Sequence, residues 1–74
     1  MKKDSKIKLD VQDELAWEPS IDETKIGVAV DEGVVTLSGE VDSYSKKIAA
    51  EKAAKRVSGV KAVAEDIVVK YPSS

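Results

Sequence analysis

The sequence predicts an α+β domain: an α-β-β-α-β two-layer sandwich, with a three-stranded mixed sheet and two helices on one of its faces. Three observations predict it. Apolar residues recur every four positions near the start of the chain, as Ile7, Val11 and Leu15. Two segments of period two, Ile26-Val28-Val30 and Val35-Leu37-Val41, flank a short glycine-containing loop. An alanine-bearing helical segment then separates them from a last β-rich run, so the third strand is reached by a crossover.

Residues 4–17 read as the first helix. The four-residue spacing of Ile7, Val11 and Leu15 makes one apolar stripe, with Leu9 and Ala16 on the opposite side. Asp4 or Ser5 can cap its start. Pro19 forbids its continuation and pushes Glu18 out of helical angles. Residues 25–30 read as the first strand, with Ile26, Val28 and Val30 alternating with Gly27 and Ala29. Asp31-Glu32-Gly33 reads as a three-residue hairpin loop, with Gly33 free to take a positive φ. Residues 34–41 read as the second strand. Val35, Leu37 and Val41 share a face with Gly39, and Val34, Thr36, Ser38 and Glu40 take the other.

Asp42 or Ser43 is expected to cap a second helix at about 44–57. Its narrow apolar side is Ala50, Ala53, Ala54 and Val57. Small alanines let a helix backbone approach a sheet, and Gly39 removes one side chain from that face; a bulge at Gly39 is the alternative. Gly59 is expected as the C′ residue. Residues 62–70 read as the last strand. Glu65 breaks the alternation of Val63, Ile67 and Val69, which predicts an irregularity or an edge position there. One domain over 4–70 and a disordered tail at 71–74 follow. The crossover makes strand three parallel to strand two. The second sheet face is left open.

The 74 residues allow one domain and little interior for a deep pocket. There is no Cys and no His. That removes disulfides, thiolate chemistry, the usual base near neutral pH and the commonest transition-metal ligand. The acidic groups Asp10/Asp13/Glu14, Asp22/Glu23 and Asp31/Glu32 lack calcium-loop spacing, so no metal is expected. No phosphate loop is formed by the isolated glycines, and Ser38 has no neighbouring base. A non-enzymatic domain without a cofactor is the expectation. No transmembrane segment is present, and Met1-Lys2-Lys3 is followed by Asp4 rather than by an apolar run. No signal peptide is therefore read, and a cytoplasmic location is expected, or a periplasmic one if a leader has been trimmed away.

The net charge of −2 conceals two unlike halves. Residues 1–42 hold five Lys and eleven Asp or Glu, net −6; residues 43–74 hold seven Lys or Arg and three acids, net +4.

The pattern as a whole resembles the BON domain, named for bacterial osmotically induced and nodulation proteins. The resemblance is carried by the helix with apolar residues four apart, then Glu18-Pro19-Ser20-Ile21, then Ile26-Gly27-Val28-Ala29-Val30. Its strongest piece is Gly33-Val34-Val35-Thr36-Leu37-Ser38-Gly39-Glu40-Val41. Gly59-Val60-Lys61-Ala62-Val63 and Asp66-Ile67-Val68-Val69 close it. The segments Leu15-Ala16-Trp17-Glu18-Pro19, Ser43-Tyr44-Ser45 and Ala53 to Val60 look like the first module of signal-less proteins that carry several BON modules. The resemblance implies a binding module in an osmotic or envelope stress context. Its implied partner is an anionic phospholipid surface or another envelope component. It transfers structural glycines, Gly33, Gly39 and Gly59, and no agreed functional residues.

Site residues therefore rest on physics. The topology brings Trp17, Pro19, Tyr44, Lys46, Lys47 and Ile48 to one end of the molecule. On the helical wheel, Tyr44 and Ile48 lie opposite the alanine face, with Lys52 and Lys55 beside them. Aromatic and aliphatic groups among lysines suit a lipid headgroup boundary. The candidate lipid-binding set is thus Trp17, Tyr44, Lys46, Lys47, Ile48, Lys52 and Lys55. The competing structural reading makes Trp17 a lid on Ile21 and Tyr44, and the lysines an ordinary solvated face. A second candidate surface is the open sheet face, with Ala29, Val34, Thr36 and Ser38, which could dock a partner protein or a neighbouring BON module. The negative net charge, the single Arg and the lack of a groove-reading motif argue against nucleic acid.

Overall fold

A computed structural model describes residues 3–71. Its elements are α1 (Asp4–Ala16), β1 (Ile26–Asp31), β2 (Val34–Val41), α2 (Tyr44–Lys55) and β3 (Ala62–Val69), with one 3-10 turn at Glu23–Lys25 ahead of β1. The order is the predicted α-β-β-α-β. The sheet runs β1-β2-β3. β1 and β2 are antiparallel, in register from Ile26↔Gly39 to Asp31↔Val34. β2 and β3 are parallel, from Val34↔Ala62 to Val41↔Val69. β3 is thus an edge strand, as Glu65 suggested, and its register is unbroken through Glu65.

Both helices lie on one face of the sheet. Ile7, Val11 and Leu15 of α1 are buried, with Ala50, Ala53 and Ala54 of α2, over Ile26, Val28, Val35, Leu37 and Ile67. α1 packs on β1 and on α2, while α2 packs on β2 and β3. The alanines let the α2 backbone sit close to the sheet, where a longer side chain would hold it off. Among the described residues, no polar or charged residue is buried in the core.

Five local expectations are corrected. The hairpin loop has two residues, Glu32 and Gly33, because Asp31 pairs with Val34. Both loop residues have positive φ, 51° and 82°, as a type I′ turn requires to match the strand twist. Asp4 does not cap α1: the N-cap position is Lys3, with no side-chain cap bond. The Asp4 carboxylate instead accepts from the N–H groups of Glu32 (2.9 Å) and Gly33 (3.1 Å), tying the start of α1 to the hairpin tip. Ser43 is the N-cap position of α2, but its hydroxyl meets the Ser45 hydroxyl (3.1 Å) and leaves the helix N–H groups alone; Asp42 pairs with Lys46.

Gly59 does not terminate α2, which ends at Lys55 with Arg56 as C-cap; Gly59 lies in the turn beyond, where the Val60 N–H donates to the Val57 carbonyl. Gly39 does not make room for a helix. Its φ is +126°, and a Cβ there would collide with the Lys25 carbonyl where the chain enters β1. The tail expected at 71–74 lies, beyond Tyr71, outside the described residues.

Candidate functional site

The tether from Asp4 to the hairpin tip places the C-terminus of α1 at the opposite end of the domain, where β1 starts, β2 ends and α2 begins. The end of α1 reaches α2 there. Glu18 lines a shallow groove with Ser45, Ile48, Ala49, Lys52 and Arg56. Arg56 bridges the helices, with Nη2 3.5 Å from Glu14 and 3.7 Å from Glu18. Trp17, one residue before Glu18, is 77% exposed and Tyr44 is 58% exposed. Trp17 is therefore no lid over Ile21 and Tyr44.

The candidate lysines do not share one direction. Along α2 each residue advances about 100°, so Tyr44, Ile48, Lys52 and Lys55 fall on the side away from the buried alanines. Lys52 and Lys55 are exposed, and Ile48 is half-buried against the groove. Lys46 points to the end of the domain. It pairs with Asp42 at 2.7 Å and lines a cleft with Ile21, Asp22, Lys25, Glu40, Val41 and Lys70. Lys47 turns to the β3 flank, 3.9 Å from Glu65, and Lys55 pairs with Glu51 at 2.7 Å.

The pairings perturb several groups. Hydrogen bonding to Lys46 holds Asp42 below the usual carboxylate range. The Glu51 hydrogen bond raises the Lys55 ammonium. Asp22 is lowered by hydrogen bonds from the hydroxyl and N–H of Thr24, which cap the 3-10 turn. That turn, and the carboxylates answering the α2 lysines, were missed in the sequence. Glu65, out of phase in its strand, was the one visible signal.

The open sheet face forms four rows set by register. Asp31-Val34-Ala62, Ala29-Thr36-Ala64 and Gly27-Ser38-Asp66 cross all three strands, and Glu40-Val68 closes it. Ala29, Val34, Thr36 and Ser38 are all exposed there, as is Val68. No side chain in its centre is larger than Val, so the face is flat.

Among the described residues, no cluster of His, Cys, Asp or Glu could hold a metal ion. Nor, among those residues, is any helix long and apolar enough to cross a membrane. Fold and surfaces together define a small α+β binding module with its chemistry on the outside. The family model of the BON domain matches residues 3–71, and the chain belongs to the BON domain family. No curated protein matches it.

Proposed function

We propose that this domain is a non-enzymatic module that attaches to anionic phospholipid surfaces, in an osmotic or envelope stress setting. One observation carries the reading: Trp17 just past the end of α1 is exposed, and an outward stripe of α2 carries the exposed Tyr44, Lys52 and Lys55 with Ile48. Indole and phenol rings favour the headgroup boundary, where one end is apolar and the other wet. Each lysine near an anionic surface adds about 1 kcal/mol of attraction. Lys46 and Lys47 belong to the same end, with their charge partly answered by Asp42 and Glu65.

Trp17 is the single Trp of the chain, so its fluorescence reports on this site alone. Vesicles of rising phosphatidylglycerol content should shift its emission to the blue and co-sediment the protein at low salt. Lys52→Glu/Lys55→Glu should weaken both effects at least tenfold. A protein that leaves such vesicles in the supernatant, its emission unshifted, rules the reading out.

A second reading is protein docking through the open sheet face, supported by its flatness and by the exposure of Val34 and Val68. A neighbouring BON module or another partner protein would cover Ala29, Val34, Thr36 and Ser38. Val34→Glu should then abolish partner capture and leave vesicle binding intact.

A further inference from the structure

On the helix-facing side of the sheet, β1 presents Ile26, Val28 and Val30, and β2 presents Val35, Leu37, Gly39 and Val41. On β3 that side carries Val63, Ile67, Val69 and one charged residue, Glu65. The side chain of Glu65 is only 16% exposed. From β2 it has Leu37 in register, and along its own strand Val63 and Ile67. From α2 it meets Lys47, at 3.9 Å, and the Glu51 carboxyl, which in turn holds Lys55 at 2.7 Å. Two carboxyls and two ammonium groups thus occupy one seam between α2 and the edge strand.

A carboxylate in that position is poorly hydrated and faces a second carboxylate. Burial, then the hydrogen bond and the negative charge of Glu51, raise Glu65 above its ordinary range. The same pairing lowers Glu51, which accepts from protonated Glu65 and from Lys55. The first proton taken up from solvent therefore lodges on Glu65, whose hydroxyl donates to the Glu51 carboxylate. With both carboxyls ionised, the seam is neutral. With one proton bound, it carries one net positive charge, and Lys47 and Lys55 share the Glu51 carboxylate alone.

We propose that the Glu51–Glu65 carboxyl pair is a pH-sensitive latch on α2: uptake of one proton leaves Lys47 and Lys55 sharing a single carboxylate and strengthens attachment to anionic phospholipid as the medium is acidified. The latch rests on the lipid reading of the outward stripe for its effect, though its protonation does not. The added charge at an anionic surface corresponds to about a fivefold gain in partitioning.

The test uses the whole chain and vesicles of phosphatidylglycerol in phosphatidylcholine, whose phosphodiesters stay ionised throughout. Partitioning is read from Trp17 emission from about pH 7.5 down to about pH 4, a span that covers the ordinary carboxylate range. The parent should bind about fivefold more tightly at the acidic end. Glu65→Gln, which mimics the protonated carboxyl, should bind at the raised level throughout. Glu51→Gln, a change on the half-exposed side of α2, should also flatten the profile and covers the case where position 65 fails to fold. Independently of lipid, a carboxyl-carbon NMR titration should place the Glu65 midpoint above that of an ordinary Glu and lower it in Glu51→Gln.

A parent that binds no anionic vesicle at any pH sinks the lipid reading. A parent that binds, with the same pH slope in both variants, overturns the latch and leaves lipid binding standing. A Glu65 midpoint at or below the ordinary value overturns the latch whatever the vesicles show.

Discussion

Gly39→Ala and Gly27→Ala make the same chemical change in neighbouring strand positions, and the structure separates them sharply. Gly39 has φ of +126°, a backbone conformation open in practice to glycine alone. Holding another residue there costs about 1–3 kcal/mol. Its new Cβ would also collide with the Lys25 carbonyl, which is backbone and anchored where the 3-10 turn enters β1. Moving that carbonyl shifts the start of β1 and strains the Ile26↔Gly39 pair, adding about 1–3 kcal/mol as in overpacked cores. The sum, about 4 kcal/mol, is a large part of the roughly 4–11 kcal/mol that a domain of this length possesses. At Gly27 φ is ordinary, and the new Cβ lies 2.6 Å from the Ser38 hydroxyl oxygen, which can rotate away. The cost there stays below about 1 kcal/mol, and Ser38→Ala in the same chain removes it. Urea unfolding followed by far-ultraviolet circular dichroism measures both. Trp17 emission is a poor probe of unfolding, because the indole is already in water. A Gly39→Ala variant within about 1 kcal/mol of the parent, or a Gly27→Ala variant equally damaged, refutes the argument.

Three further outcomes are expected. Glu32→Asn should stabilise the domain by about 0.5–1 kcal/mol, since Glu32 holds φ of +51° in a type I′ turn that favours Asn-Gly; thermal melting gives the value. Asp4→Ala should cost about 1–2 kcal/mol, a fall in Tm of about 5–10 °C, because the Glu32 and Gly33 N–H groups lose their acceptor. Glu65→Val should stabilise by about 1 kcal/mol near pH 7.5, by restoring the apolar alternation of β3. That gain should shrink on acidification. A carboxyl whose folded pKa is raised contributes stability that is present below its unfolded value and lost as pH rises through its folded value, so the parent recovers at low pH what the variant already has. Urea titrations at both ends of the range check the sign.

How far the sequence could be read depended on whether one period or one residue decided each feature. The helices and strands announced themselves by spacing: Ile7, Val11 and Leu15 fixed the buried stripe of α1, and Val35 and Leu37 fixed the buried parity of β2. Both helices had one apolar side, and one sheet face can cover both, so the layering followed. The missed details are those where a polar side chain chooses between near and distant partners. Asp4 has the right type for a helix cap, yet the hairpin tip 28 residues away offers two N–H groups. Ser43 stands at the cap position and spends its hydroxyl on Ser45. Gly39 was visible as a requirement for glycine, but the collision that imposes it comes from Lys25, whose approach is set by tertiary packing.

The candidate site was legible in position and misleading in charge. Trp17 and Tyr44 are exposed at the end where α1 stops and α2 starts, as topology required. The five basic residues of the second helix, Lys46, Lys47, Lys52, Lys55 and Arg56, face Glu51 alone only when the helix is counted by itself. Folding brings Asp42 to Lys46, Glu65 to Lys47, Glu51 to Lys55, and Glu14 and Glu18 to Arg56. Five carboxylates therefore stand among the five cations, and at neutral pH the surface is close to balanced. Such a surface gains attraction for anionic lipid chiefly by losing negative charge. Hydrogen bonding to Lys46 makes Asp42 hold its charge further into acid, whereas burial and the Glu51 carboxyl make Glu65 give up its charge more readily than an ordinary Glu. The acidic front and basic second half that leave a net −2 along the sequence meet where Asp42 faces Lys46 and where Glu14 and Glu18 face Arg56.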